Sequence, residues 1–570
     1  MNRWTPRERS RFTLAIAVGA LIVLVAAPLA AAKPPPSNPS EGKAKTTQIQ
    51  ILALNDFHGQ LRPPDSTSSG GRIGATPAGG AEFLASYVRD LRATNENTLF
   101  VSAGDLIGAT PLVSAIFHDE PTIEAMNLMG LDYNGVGNHE FDEGAAELTR
   151  MQNGGCHPVE GCFAGDGFEG ADFQFLAANV TYKASGDTIF PPYAIHEFSG
   201  VDVAVVGMTL EGTPSIVTAA ATADINFHDE ADSVNALVPV LKAQGIETII
   251  VLLHEGGNPG AALNETTFNS CVNPTGAAVD VIKRFNPEID LVVTGHTNWA
   301  LNCADLAGTG IMVTGAASVG RLVTDIDLTL SRATKEVVDA SINNVIVRRD
   351  AKPAAADITA LINKYGAIAA PTENRVIGTA PSALTRTVNA AGESSLGDII
   401  ADAQVWATSQ PGFPGAPPAV ISFMNAGGIR ADINVGPITY GEAFSVQPFA
   451  NVLVTMSMTG AQIDALLEQQ FTGGNGILQI PASLTYDRSL SAAAGSRISN
   501  IRIGGALIDP ATTYRVTVNN FLADGGDGYT VFRGGTSRYV GEIDLDAFAR
   551  YVELLGTVNP GPQNRITLIP

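Results

Sequence analysis

The feature that most constrains this chain is a series of short apolar runs, each ending in a polar turn. Ile49–Leu54, Leu99–Val101, Val203–Val206, Ile249–Leu253 and Leu291–Val293 are too short for helices and, Gln50 apart, apolar throughout, as strands buried on both faces are. Between them, Gly80–Leu91 and Ala231–Ala243 carry helical periodicity. The alternation predicts a layered α/β domain from about Gln48 to Val347, with Val313–Leu330 and Ile342–Val347 adding hairpin-like strands at its end.

The turns carry the chemistry. The first run leads into Asn55-Asp56-Phe57-His58-Gly59, and the second into Ser102-Ala103-Gly104-Asp105. The segment after Leu131 ends in Gly137-Asn138-His139-Glu140-Phe141-Asp142. The last two runs end in His254-Glu255-Gly256 and Gly295-His296-Thr297-Asn298. Each piece alone is ordinary turn chemistry. Together they deliver His, Asp or Asn just past the carboxyl ends of five segments, where open α/β sheets bind ligands, and they use four of the eight histidines.

Imidazole nitrogens mixed with carboxylate and amide oxygens suit two divalent ions of the Zn, Mn, Fe or Co type. Calcium or magnesium would call for oxygens throughout. Asp105 is the candidate bridging carboxylate for a metal pair about 3.5–4 Å apart. His139 and Asp142, three residues apart, share a face on a helical turn, so Asp142 could orient His139 for acid catalysis.

Asp350–Pro371 changes character: after Lys352-Pro353 an Ala- and Ile-rich amphipathic stretch reads as one linking helix bounded by prolines. At 570 residues the chain exceeds one ordinary core, and a second domain is expected from Asn374 to Pro570. It opens with a helix over Ser394–Ala407 and continues with strands such as Ala419–Phe423, Val452–Met456 and Tyr514–Val518.

The order of these residues resembles the calcineurin-like metallophosphoesterases, and specifically the 5′-nucleotidase family, over nearly all of the chain beyond its N-terminal segment. The resemblance implies a four-layer αββα sandwich over 48–349, a linker helix over 350–373 and an α+β substrate-binding domain over 374–570. It implies one metal held by Asp56, His58, Asp105 and Asn298, and a second by Asp105, Asn138, His254 and His296. His139 with Asp142 is similar to the family's catalytic dyad. Asn425-Ala426-Gly427-Gly428-Ile429-Arg430 looks like its Asn-x-Gly-Gly-x-Arg loop, with Arg430 for the phosphate or ribose and Asn425 for the base. Phe449 and Phe521 look like the pair that sandwiches a base, and Asp527 like the ribose-contacting acid. The implied activity is hydrolysis of nucleoside 5′-monophosphates. The alternatives are UDP-sugar or 2′,3′-cyclic-nucleotide hydrolysis, or a non-enzymatic exported nucleotide-binding or surface protein. Two departures bear on the substrate. No Arg stands a few residues before Glu393, Arg386 being the nearest, and Pro481-Ala482 replaces the Ser-Gly or Gly-Gly of many relatives.

The N-terminus reads as an export signal over 1–32: Arg3, Arg7, Arg9 and Arg11 precede the apolar run Phe12–Ala27, and Ala30-Ala31-Ala32 offers a cleavage site. An uncleaved anchor is the competing reading; after cleavage no stable membrane insertion is expected. Lys33–Ser40 opens a Pro- and Ser-rich spacer over 33–47. The expected location is secreted, periplasmic or at the cell surface. Four cysteines suit such an oxidising compartment. Cys156 with Cys162 reads as a local clip, which leaves Cys271 with Cys303, although four cysteines allow three pairings. A net charge of −23 argues against duplex nucleic acid as a partner and leaves a small nucleotide or related phosphate ester. Oligomeric state has no signature in the sequence.

Overall fold

The computed structural model describes residues 2–3, 45–66, 69–163, 165, 167–218, 220–411, 413–415, 417–449, 451–472 and 476–570. The expected export segment and spacer lie almost wholly outside the described residues.

Two sheets stack face to face in the first half. In one, the order is Val337–Ile346, Leu322–Ser331, Thr46–Leu54, Thr98–Ser102, Tyr133–Gly135 and Gln174–Leu176, the last four running parallel. In the other it is Ala300–Cys303, Met312–Ala316, Leu291–Thr294, Thr248–His254, Val201–Thr209 and Tyr193–Phe198. The period-two geometry of a strand explains why these runs are apolar on both faces. Ile49, Ile51 and Ala53 enter the core between the sheets with Val203, Val205, Ile250 and Leu252. Leu52 and Leu54 point the other way, into a core shared with the helices Ala81–Arg92 and Glu120–Met129. Helices Glu230–Ala243 and Ala277–Ile282 cover the opposite outer face. The result is the four-layer αββα sandwich.

Three expectations need correction. Val313–Leu330 is not a hairpin: Met312–Ala316 runs parallel within the second sheet, and the chain then crosses to the first, where Leu322–Ser331 pairs antiparallel with both Thr46–Leu54 and Val337–Ile346. Met312–Ala316 is buried throughout, whereas Leu322–Ser331 alternates buried apolar residues with Asp325, Asp327 and Thr329, as an antiparallel strand with one open face does. Of Ala419–Phe423 only Ile421–Ser422 is strand. The connecting helix runs over Ala356–Glu373 with Pro371 inside its last turn, where the missing N–H costs a single hydrogen bond. Nor is that helix a free connector. Ile358, Leu361, Ile362, Tyr365 and Ala369 belong to the core under the first sheet, and the Tyr365 hydroxyl donates to Glu124 at 2.7 Å.

The second half is α+β. One sheet has the order Ile421–Ser422, Thr513–Asn519, Val452–Thr459 and Thr536–Ile543; another has Ala506–Leu507, Ile498–Ile503, Leu484–Ser489 and Ile566–Ile569. Helix Ser395–Ser409 is capped by Ser394, whose hydroxyl accepts from the Gly397 N–H at 3.0 Å. Disulfides join Cys156 to Cys162 and Cys271 to Cys303. No helix among the described residues is long and apolar enough to cross a membrane.

Candidate metal centre and substrate cleft

The carboxyl ends of the parallel strands in both sheets open onto one edge, and the polar turns meet there. Asp56, His58, Asp105, His296 and Asn298 all hold left-handed backbones, with φ of 50°, 47°, 53°, 69° and 54°. Non-glycine residues seldom take this conformation, and it concentrates where neighbouring structure forces a side chain into a functional position. Glycines make room: a Cβ on Gly137 would lie 2.2 Å from Asp105 Oδ1.

Six of the seven expected ligands converge. His254 Nε2 lies 3.1 Å from Asp105 Oδ2 and 3.1 Å from Asn138 Oδ1, which is also 2.9 Å from His296 Nδ1. His58 Nε2 stands 3.8 Å from Asp105 Oδ2 and 3.9 Å from Asp56 Oδ1. His58 and His254 each donate the other ring nitrogen to a backbone carbonyl: His58 Nδ1 to Gly108 at 3.0 Å, and His254 Nδ1 to Ala103 at 2.7 Å. For His58 that tautomer leaves the inward Nε2 with a lone pair, the usual arrangement for a metal-ligating histidine. Burial opposes a charge on His254, but Asp105 and Asp56 outweigh it and raise that imidazole to about 10. Asn298 is exposed in the turn after His296, and its side chain makes no hydrogen bond among the described residues.

These atoms fit divalent cations. Asp56 Oδ1 is buried with no hydrogen-bond partner, and burial pushes its carboxyl up to about 7. Burial also drives His58 down to about 3 and His296 down to about 4, which keeps both imidazoles neutral and their lone pairs free. Burial opposes the charge on Asp105, yet His254 and His139 hold its carboxyl below the usual range. Two donor clusters share Asp105: His58 and His139 complete one, His254 and His296 the other.

His139 Nδ1 is 2.8 Å from Asp142 Oδ2, and its backbone N–H donates to Asp105 Oδ1 at 2.9 Å. Burial opposes a charge on this ring, but Asp142 and Asp105 outweigh it and raise the imidazole above its ordinary range.

The second domain closes over this centre. A cleft of about 180 Å³ is lined on one side by Asn138, His139, Asp142 and His296, and on the other by Asn425, Arg430, Phe449, Phe521 and Asp527. Asn425 is held at both ends of its amide: its Nδ2 donates to Asp527 Oδ2 at 2.8 Å, and its Oδ1 accepts from Asn519 at 3.0 Å. The Arg430 guanidinium lies 5.7 Å from the Phe449 ring centre, and burial together with nearby Arg386 lowers its pKa. Arg386 comes near Arg430 by donating to the neighbouring Ile429 carbonyl at 3.5 Å, but it does not line the cleft. Pro481-Ala482 does not line the cleft; the Ala482 N–H donates to Asp402 at 2.8 Å instead.

Several contributors escape a reading of the sequence. Glu140 accepts from the N–H groups of Asp105, Leu106 and Gly137, at 2.9, 2.8 and 2.7 Å, and so holds the turns that carry Asp105 and Asn138 together. Its place beside His139 is the available signal. Asn55 donates to Asp56 Oδ2 at 2.5 Å. Asn451 and Ile216–Thr218 also line the cleft, and nothing local in the sequence marks the latter.

The model of the calcineurin-like phosphoesterases matches residues 49–299, and that of the 5′-nucleotidase C-terminal domain matches 376–534. Cell wall protein Lmo0130 of Listeria monocytogenes is 30% identical over 552 residues, 90% of this chain and 68% of the relative. The chain belongs to the 5′-nucleotidase family of calcineurin-like phosphoesterases. Members of this family are metal-dependent phosphoester hydrolases, which accords with the donor set above. Endonuclease YhcR of Bacillus subtilis is 31% identical over 511 residues, 89% of this chain but only 39% of that relative's own length. Among solved structures, the 5′-nucleotidase precursor from Thermus thermophilus superposes with a TM-score of 0.73 at 27% identity, covering 92% of this chain and 99% of that one.

Proposed function

We propose that this chain is an exported two-metal phosphomonoesterase that releases phosphate from nucleoside 5′-monophosphates. The observation that carries the reading is the shared cleft: a cation-demanding donor cluster faces an arginine, two phenylalanines and an Asn–Asp pair across a space fit for a small molecule. In this reading Asp56, His58, Asp105 and Asn298 hold one cation and Asp105, Asn138, His254 and His296 the other, the ions being Zn, Mn, Fe or Co. Asn298 would have to turn inward to join. When bound, such cations supply Lewis acidity toward the phosphoryl group.

The remaining roles belong to the protein's own side chains. Arg430 pairs with phosphate oxygens. Asp142 holds His139 Nδ1, so that Nε2 delivers a proton to the departing ribose oxygen. Phe449 and Phe521 flank the base, and Asp527 with Asn425 contacts ribose and base edge. Export is supported by the Arg-rich, apolar N-terminus, by the two disulfides and by the cell-wall designation of the Listeria relative.

A panel of AMP, UDP-glucose, 2′,3′-cyclic AMP and p-nitrophenyl phosphate with added Mn²⁺ or Zn²⁺ tests the reading. AMP should give the highest kcat/KM. Preference for the sugar nucleotide or the cyclic ester would replace the substrate assignment. Failure to hydrolyse any of them, with fewer than two ions per chain, would overturn the enzymatic reading.

A further inference from the structure

The helix Glu120–Met129 starts without the usual cap. Its N-cap residue is Asp119, a type whose side chain ordinarily accepts from an N–H in the first turn. Here the side chain makes no such bond, and the residue holds a left-handed backbone with φ of 63°. The buried carboxylate turns away from its own helix. Its Oδ2 accepts from the Gly108 N–H at 3.0 Å, and its Oδ1 is buried without a hydrogen-bond partner. A helix end thus forgoes a favourable bond, and Asp119 an easy backbone, for a contact with a loop earlier in the chain.

That loop reaches the metal centre. Gly108 takes φ of 77° and Ala109 follows at 51°, two left-handed residues in succession. Alanine gains nothing from this conformation, so neighbouring structure has to hold it there. The Gly108 carbonyl meets His58 Nδ1, which donates to it at 3.0 Å. On its other side Gly108 lies against the dyad: a Cβ there would stand 2.5 Å from the His139 carbonyl oxygen and 2.8 Å from Asp142 Oδ2. Asp119 therefore holds by its N–H the same residue whose carbonyl holds His58.

We propose that Asp119 is a positioning residue for the metal centre. By pinning the Gly108 N–H it fixes the carbonyl that sets the tautomer and tilt of His58, and with them the affinity for the cation that His58 would hold. The inference rests on the two-metal reading above. The coupling is mechanical: the N–H and the carbonyl of Gly108 belong to different peptide groups, so orientation passes between them and polarisation does not. Without the carboxylate, Gly108 and Ala109 are free to relax toward ordinary backbone and carry the carbonyl away from Nδ1. Loss of an outer contact to a ligating histidine lowers metal affinity by about 10–100-fold. A mere capping role predicts the opposite pattern, an unsettled helix with His58 left in place.

Two variants test this. Asp119→Gly removes the carboxylate and accepts the left-handed backbone without strain, whereas Asp119→Asn keeps an oxygen able to accept from Gly108. The intact wild type and both variants are stripped of metal and titrated with Zn²⁺ in a chelator buffer, counting ions per chain. Wild type should take up two ions. Asp119→Gly should bind one of them about 10–100-fold more weakly and the other as wild type does, with little change in the melting temperature of the metal-free protein. Asp119→Asn should match wild type at both. Unchanged affinities in Asp119→Gly overturn the proposal. So does equal weakening of both ions, which assigns Asp119 to the fold at large, and so does an Asp119→Asn variant as weak as Asp119→Gly, which assigns the effect to charge. A wild type that binds fewer than two ions overturns the two-metal reading itself, and this inference with it.

Discussion

His139 and Phe449 lie face to face across the domain boundary, their ring planes 13° apart and their centroids 5.6 Å apart. One belongs to the turn after Gly137 and the other to the second domain, so this contact exists only when the halves are closed. The Arg430 guanidinium sits over the same Phe449 ring. The proposed base platform and the proposed proton donor therefore share a surface.

That sharing separates the two phenylalanines. His139 and Arg430 pack on Phe449 and not on Phe521, so Phe521→Ala should lower kcat/KM toward AMP by about ten- to a hundredfold, the scale of one lost base stack, with p-nitrophenyl phosphate nearly unaffected. Phe449→Ala should slow both substrates, because it also frees His139 and Arg430. Equal losses for both variants on both substrates would assign the two rings to the fold instead.

His139→Ala should reduce kcat by roughly 10²–10⁴-fold while metal content stays at the wild-type level. Because His139 also stands within the cluster of His58 and Asp105, loss of metal in this variant would make it a ligand.

Asp105→Ala should abolish turnover and metal retention together. Asp105 is the residue common to both donor clusters, and its Oδ1 also anchors the His139 N–H. A variant that kept two ions per chain, counted by atomic absorption, would exclude it as the bridge.

Asp544 offers a stability test away from the centre. It is buried at the start of helix Asp544–Leu555, and burial pushes its carboxyl up to about 7 despite hydrogen bonds from the Leu545 N–H and the Gln447 amide. A carboxyl raised in the folded state binds its proton more tightly there than in the unfolded chain. Its contribution is therefore present at low pH and declines as pH rises from about 4 to about 7, by up to about 1.4 kcal/mol per pH unit. Asp544→Asn should thus gain on wild type across that window, measured as the difference in denaturation midpoint at pH 5 and pH 8. A constant difference would show that Asp544 does not titrate there.

Much of the centre can be read from the chain because strand runs are short and their ends are marked. Asp56, Asp105, His254 and His296 each follow an apolar run within a few residues, and His139 with Asp142 shows the spacing of one helical turn. What stays hidden depends on folding at a distance. Arg386 reaches Arg430 only through the loop between Leu384 and Ile433, which hydrogen-bond to each other. Ile216–Thr218 enters the cleft from a turn whose own residues say nothing of the second domain. The left-handed backbones of five proposed ligand positions are imposed by the packed turns, and side-chain type does not announce them. Met312–Ala316 and Leu322–Ser331 are easily misjoined because they follow one another closely in the chain, and the change from a fully buried to an alternating pattern does not say that the chain crosses between sheets.

The helix Ala356–Glu373 sets where this protein can be divided. A fragment ending near Val347 would strip Ile358, Leu361, Ile362, Tyr365 and Ala369 from the layer beneath the first sheet and leave an apolar scar there. A fragment that retains the helix keeps its outer wall intact. The seam between the halves therefore falls after Glu373, and a swap of substrate domains between relatives should be spliced at that residue and not at the first break in the αββα layers.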